Sequence, residues 1–102
     1  MEEDTAAEAP KVFDLFQNVP NPFNPSTTIR YILHEPGDVS LRVYDLTGRE
    51  VTTLADEYRT AGSHEVLWNG TDAGGNRVSS GIYFYTLLVG DKAETMRMTL
   101  VR

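Results

Sequence analysis

Asn69-Gly70-Thr71-Asp72-Ala73-Gly74-Gly75-Asn76 is the stretch of this chain richest in hard oxygen donors. Asn69, Asp72 and Asn76 stand close enough in sequence to suggest a calcium loop, since that ion gathers six to eight oxygens. The stretch lacks the EF-hand spacing and the bidentate glutamate that closes such a loop. Gly, Asn and Asp are also what a long β-turn requires. The stretch is read as a turn, with calcium on Asn69, Asp72 and Asn76 as the minor alternative, and no metal or other cofactor is assigned. His34 and His64 are the only histidines; neither has a partner at ligand spacing, and both are expected as solvated residues at strand ends. Ser79 and Ser80 precede Gly81 without forming the G-x-S-x-G elbow that presents a nucleophile. Asp45 and Asp56 would have to meet across a cleft to work as an acid and base pair, and a chain this short offers none. No catalytic residue is assigned, and the chain is read as a non-enzyme.

The elements that would position these residues are strands. Apolar residues do not recur at helical spacing. Short alternating segments bounded by Gly, Pro, Asn and Asp follow one another instead, as in an all-β sandwich. The predicted strands are Val12–Phe16, Thr27–Leu33, Val39–Tyr44, Glu50–Leu54, His64–Trp68, Ile82–Val89 and Ala93–Val101, with a helical turn as the alternative over Thr52–Thr60. Alternation places Ile29, Tyr31 and Leu33 in the core, with Val39, Leu41 and Val43 beside them and Ser40 and Arg42 toward water. Val66 and Trp68 share a face. Gly90-Asp91 suits a two-residue hairpin turn, which pairs Tyr85 with Met96 and Tyr83 with Met98. That register sets Phe84 and Arg97 together on the opposite face. Asp45 and Gly48 within Tyr44-Asp45-Leu46-Thr47-Gly48-Arg49-Glu50-Val51 specify a further turn: the carboxylate accepts a backbone N–H, and the glycine takes the left-handed position of a bulge. Tyr44, Tyr58 and Phe84 fall outside the core pattern and are expected to cover sheet edges or loops, with a sugar-stacking platform as the lesser alternative.

Ahead of the body runs Val19-Pro20-Asn21-Pro22-Phe23-Asn24-Pro25. Proline fixes φ and excludes the preceding residue from the helical region, so Asn21 and Asn24 are extended or in turns. With Pro22 and Pro25 they make a stiff segment that holds the first strand in place and lies along a sheet edge without inviting another strand. Residues 1–11 carry Glu2, Glu3, Asp4 and Glu8 among alanines, with neither the basic nor the apolar region of a signal peptide. They are read as an acidic, disordered linker ahead of a domain over residues 12–102, itself cut from a larger protein. The net charge is −6 and cysteine is absent. Phosphate backbones are repelled, so nucleic acid is not expected as a partner, and neither a disulfide nor a thiolate metal site is available. No apolar run is long enough to cross a bilayer as a helix.

Phe16-Gln17-Asn18-Val19-Pro20-Asn21-Pro22-Phe23-Asn24-Pro25, the Tyr44–Val51 block, Ala61-Gly62-Ser63-His64-Glu65-Val66-Leu67-Trp68-Asn69-Gly70 and Ser80-Gly81-Ile82-Tyr83-Phe84-Tyr85 together resemble the type A C-terminal sorting domain of type IX secretion, in order and spacing. The resemblance runs from about Phe13 to Arg102. Asn69 stands where the family often has aspartate, and Arg97 and Arg102 where lysine is common. The Ig-like module of the flagellar hook-capping protein is similar in its Gly-rich loop and in the Gly81–Tyr85 strand. The resemblance implies an immunoglobulin-like seven-stranded antiparallel sandwich. In it Asp45, Gly48, Trp68, Gly81, Tyr83 and Tyr85 are structural. It further implies a module exported through the periplasm to the cell surface together with an N-terminal cargo domain in the same polypeptide. Outer-membrane secretion machinery would read it, and a sortase-like transpeptidase would remove it or use it for attachment. Arg97, Met98, Leu100 and Arg102 on the terminal strand are the expected recognition residues, the arginines giving an acidic domain a local cationic handle. The alternative is a permanently retained spacer or carbohydrate-binding module of a secreted hydrolase.

Overall fold

The computed structural model describes residues 11–102; the acidic linker, Lys11 excepted, lies outside the described residues. Seven strands follow in order: β1 (Phe13–Leu15), β2 (Thr27–Leu33), β3 (Gly37–Asp45), β4 (Glu50–Arg59), β5 (Gly62–Trp68), β6 (Gly81–Val89) and β7 (Lys92–Leu100). They form a three-stranded sheet, β1-β2-β5, and a four-stranded sheet, β4-β3-β6-β7, with every strand pair antiparallel. The period-2 pattern predicts this arrangement, because each sheet buries one face only. Ile29, Tyr31 and Leu33 meet Val39, Leu41, Val43, Tyr85 and Leu87 across the interface, all of them buried. The β6–β7 hairpin has the register expected from Gly90-Asp91, with Tyr83 opposite Met98, Tyr85 opposite Met96 and Phe84 opposite Arg97.

The helical turn weighed over Thr52–Thr60 does not form; β4 continues as strand to Arg59. Leu41 pairs with Ala55 and Arg42 with Thr53, which leaves Leu54 as an extra residue, and the next shift leaves Val51 extra. Each bulge inserts one residue and reverses the in/out phase. The apolar positions of β4 therefore fail to alternate in sequence, and only Ala55 is buried. Elsewhere the differences are at the ends: β3 and β5 each begin two residues early, at glycines, and β1 is limited to Phe13–Leu15.

After Leu15 the chain leaves the smaller sheet and crosses to the larger one. Phe16 N–H still bonds Arg30 O, and Val19 and Thr28 exchange both backbone bonds at 2.9 Å. At Phe23 the chain instead lies against β7: its N–H donates to Thr99 O at 3.0 Å and its carbonyl accepts from Val101 N–H at 2.9 Å, a parallel bridge to Leu100. The Phe23 ring is 2% exposed and packs 5.6 Å from the centre of Trp68, which in turn meets Tyr83 edge-on at 5.4 Å. The peptide bonds before Pro20, Pro22 and Pro25 are cis. A buried aromatic thus anchors a segment that is otherwise polar and exposed. Truncating a core phenylalanine removes both transfer free energy and packing, so Phe23→Ala is expected to cost about 4 kcal/mol in urea unfolding. Val19→Ala, at a 70% exposed side chain, should stay within about 0.5 kcal/mol of the parent.

Candidate functional site

The terminal strand and the loops that fasten it form the candidate recognition surface. Of the four residues expected to be read there, Met98 and Leu100 are 0% and 1% exposed. Their inward phase on β7, fixed by pairing with Tyr83 and Gly81, makes them core; the folded domain does not display them. Arg97 has the opposite phase and is exposed beside Phe84, although its carbonyl accepts a 2.7 Å bond from Gln17 Nε2. Arg102 is half-buried. Its guanidinium donates to Val78 O through Nε and to Gly70 O through an Nη, both at 2.5 Å, while its backbone N–H donates to Ser80 Oγ at 2.8 Å. The structure thus separates the two arginines, leaving Arg97 presented while Arg102 fastens the 69–80 loop to the end of β7. Gly70 is needed for that closure: its φ is +76°, and a Cβ there would lie 2.8 Å from the Arg102 guanidinium and 3.1 Å from Pro25 O.

The opening segment clasps the outer edge of the same strand. Asn21 Oδ1 accepts from Thr99 N–H at 3.0 Å, in the structural role expected of it, whereas Asn24 and Pro22 stand exposed. Sequence reasoning missed the residues that support the clasp. Asn18 is 1% exposed and donates to Pro20 O at 3.1 Å and Thr27 Oγ1 at 3.0 Å, and Gln17 bridges Asn18 Oδ1 to Arg97 O. A single apolar Phe23 in a proline run, preceded by two adjacent amides, is the only signal they leave. Tyr85 completes this corner by donating to Phe16 O at 2.7 Å, and burial pushes its phenol up to about 12. Tyr83, also assigned a structural role, donates to Ser79 O at 2.7 Å just before Gly81 opens β6.

The Gly-rich loop and the Asp45 turn prove to be the same device used twice. Asp45 Oδ1 accepts from the N–H groups of Thr47 and Arg49 at 2.9 and 3.0 Å, and from Thr47 Oγ1 at 2.6 Å. Asp72 Oδ1 accepts from Gly74 and Asn76 N–H, both at 2.9 Å. In each loop the aspartate's backbone also bonds the residues three and four positions on. The matching glycines, Gly48 at φ +89° and Gly75 at φ +84°, occupy the left-handed position. The D-x-x-G-x spacing was readable for both. Asp72 Oδ1 thereby closes its own turn, and Asn69 Oδ1 accepts from Thr71 Oγ1; among the described residues no cluster of three His, Cys, Asp or Glu forms that could hold a metal. Between the two turns lies an open cleft of about 550 Å³ lined by Asp45, Asp72, Arg49, Arg77 and Tyr83.

His34 is exposed at the end of β2, as expected, and pairs with Asp14 at 2.9 Å. His64 departs from the expectation: it sits within β5, half-buried against the Tyr31 ring at 5.4 Å, with Nε2 on Thr60 O. Tyr44 and Phe84 are cross-strand neighbours, half-buried on the outer face of the larger sheet, whereas Tyr58 stands opposite Asp38 at the far end of β3. The three do not make one platform. Asp45 and Asp56 lie toward opposite ends of the β3–β4 ladder and do not meet as an acid and base pair.

Two outcomes follow from this geometry. Arg102→Ala should lower stability by about 2 kcal/mol, because it removes charge-assisted bonds to two loop carbonyls, whereas Arg97→Ala should change it by less than about 0.5 kcal/mol; urea unfolding measures both. The second is acid sensitivity. Hydrogen bonding from the Thr47 hydroxyl and then from the Arg49 N–H holds the Asp45 carboxyl below its usual range, and the bond to His34 does the same for Asp14. A carboxyl whose folded pKa is depressed contributes stability above its unfolded pKa and loses it as the pH falls through the folded one. Stability should therefore decline below about pH 4, and the decline should be shallower in Asp45→Asn.

Comparison with curated proteins gives no match. Among solved structures, PorZ of Porphyromonas gingivalis, an essential surface component of the type IX secretion system of that organism, is 28% identical over 86% of this chain, with a TM-score of 0.61. Latent, dimeric PorU of P. gingivalis is 26% identical over 93% of the chain, with a TM-score of 0.70. The chain spans only 11% and 10% of those two proteins. FlgD of Xanthomonas campestris, which acts in the hook capping essential for flagellar assembly, is 26% identical over 86% of this chain and 64% of its own, with a TM-score of 0.60. The FlgD Ig-like domain family matches residues 24–92, most of the sandwich just described, and the chain belongs to that family.

Proposed function

We propose that this domain is a non-enzymatic sorting module that directs a larger cargo protein across the outer membrane by type IX secretion. The observation that carries the reading is the likeness to PorU and PorZ over 93% and 86% of the chain, which corresponds to 10% and 11% of those proteins. The FlgD family match stops at Lys92, short of nearly all of β7. A small domain recurring within much larger chains fits an appended address. The terminal hairpin is open to a partner on its outer flank, where Asp91, Lys92 and Arg97 are exposed. The partners in this reading are the outer-membrane secretion machinery, a sortase-like transpeptidase and the N-terminal cargo.

The test fuses the 102-residue chain behind a periplasm-directed reporter in a host with a working type IX system and in the same host lacking it. Protease-accessible reporter at the surface is expected only in the first. A reporter that stays in the periplasm of both hosts overturns the reading. Mass spectrometry of the exported product should find the domain removed or joined to a surface anchor; an intact, unmodified domain assigns it instead to a permanently retained appendage.

A further inference from the structure

Met96 sets a thioether beside a hydroxyl whose proton is already in use. Of the three methionines, Met1 lies outside the described residues and Met98 is 0% exposed, whereas Met96 is half-buried on the outermost strand of the larger sheet. Its Sδ lies 3.4 Å from the Tyr85 hydroxyl, which also stands 2.7 Å from Phe16 O. A hydroxyl has one proton to donate, and a thioether is a weak acceptor. The proton therefore goes to the Phe16 carbonyl, and Met96 is left to pack against the core. That carbonyl is the root of the clasp. Phe16 N–H is the last bond back to β2 before the chain crosses, through Gln17 and Asn18, toward β7. Tyr85 thus pins the entry segment to the larger sheet at the point where it leaves the smaller one.

We propose that Met96 is an oxidation site, and that its sulfoxide loosens the clasp by drawing the Tyr85 proton away from Phe16 O. A hydroperoxide is the oxidant. The Sδ lone pair attacks the terminal peroxide oxygen, the S–O bond forms as the O–O bond breaks, and the proton of that oxygen passes to the leaving group, released as water or an alcohol. Sulfur gives up an electron pair and the peroxide takes it. Oxidation turns a flexible apolar side chain into a polar one, whose new oxygen accepts a hydrogen bond far better than the thioether did. Three rotatable bonds let the side chain bring that oxygen to the hydroxyl without moving the strand. Phe16 O then loses its donor, and the segment from Gln17 to Phe23 is tied to the sheets by one bond fewer. Methionine sulfoxide reductases restore the thioether, so the change is reversible.

Peroxide treatment of the folded chain, followed by peptide mapping in a mass spectrometer, should add one oxygen to Met96 about tenfold faster than to Met98. Equal rates at the two, or no addition at Met96 in the folded chain, overturn the site. In the oxidised chain, amide exchange at Phe23 and Thr99, whose bonds hold the clasp, should quicken about fivefold, the effect of losing one hydrogen bond. Unchanged exchange with Met96 fully oxidised overturns the link to the clasp. Tyr85→Phe separates that link from the mere cost of a polar side chain: it has no proton to divert, so exchange should be fast beforehand and change by less than about twofold on oxidation. A change as large as the parent's overturns the part given to the hydroxyl. Met96→Leu nearly conserves volume and should exchange like the untreated parent, before and after peroxide; a response that survives in this variant assigns the effect to another residue.

Discussion

A sandwich of two open sheets has to dispose of its edges, and the outer edge of β7 is the constraint on which this pole of the domain depends. Unpaired N–H and C=O groups at an edge invite another strand. Here the chain covers the vulnerable end itself by leaving the smaller sheet after β1 and laying Asn21–Phe23 along Thr99–Val101. The proline-rich segment suits the task because it resists pairing on its own outer side. Its hold comes from Phe23: hydrogen bonds at a wet edge contribute about 1 kcal/mol each, whereas the buried ring ties the segment to Trp68 at the end of β5 and, through it, to Tyr83 on β6. Both sheets thus meet in one aromatic group. The Gly70–Arg102 closure is built on top of it, against Pro25.

The sandwich was legible in the sequence wherever a strand alternates cleanly, as in Thr27–Leu33, Val39–Tyr44 and Ile82–Val89. It became illegible at β4, where two bulges reverse the phase and leave Val51 and Leu54 as extra residues, only partly buried against the core. Turn chemistry was legible at Asp45 and Gly48. At Asp72 and Gly75 the turn was also legible, with calcium as the minor alternative; the bonds of Asp72 Oδ1 to Gly74 and Asn76 give the loop the same geometry as the Asp45 turn. The clasp was the least legible part. Its positions could be placed in an extended segment from proline geometry alone, but its partner strand lies some eighty positions away, and nothing local encodes so distant a contact.

The same distant contacts revise which part of the terminal strand a partner could engage. Met98 and Leu100 fill the core, Arg102 is bound to loop carbonyls, and the backbone from Thr99 to Val101 is occupied by the clasp. Met98, Leu100 and Arg102 are therefore held by the fold rather than presented by it, although Val101 between them is exposed. Removing them as a way of probing recognition would confound export with folding: loss of Leu100 opens a cavity in the core, and loss of Arg102 releases the 69–80 loop. Of the four residues first expected to be recognised, Arg97 alone is exposed. The closure of the β7 edge by the clasp and the burial of Met98 and Leu100 beneath it are then two consequences of one arrangement.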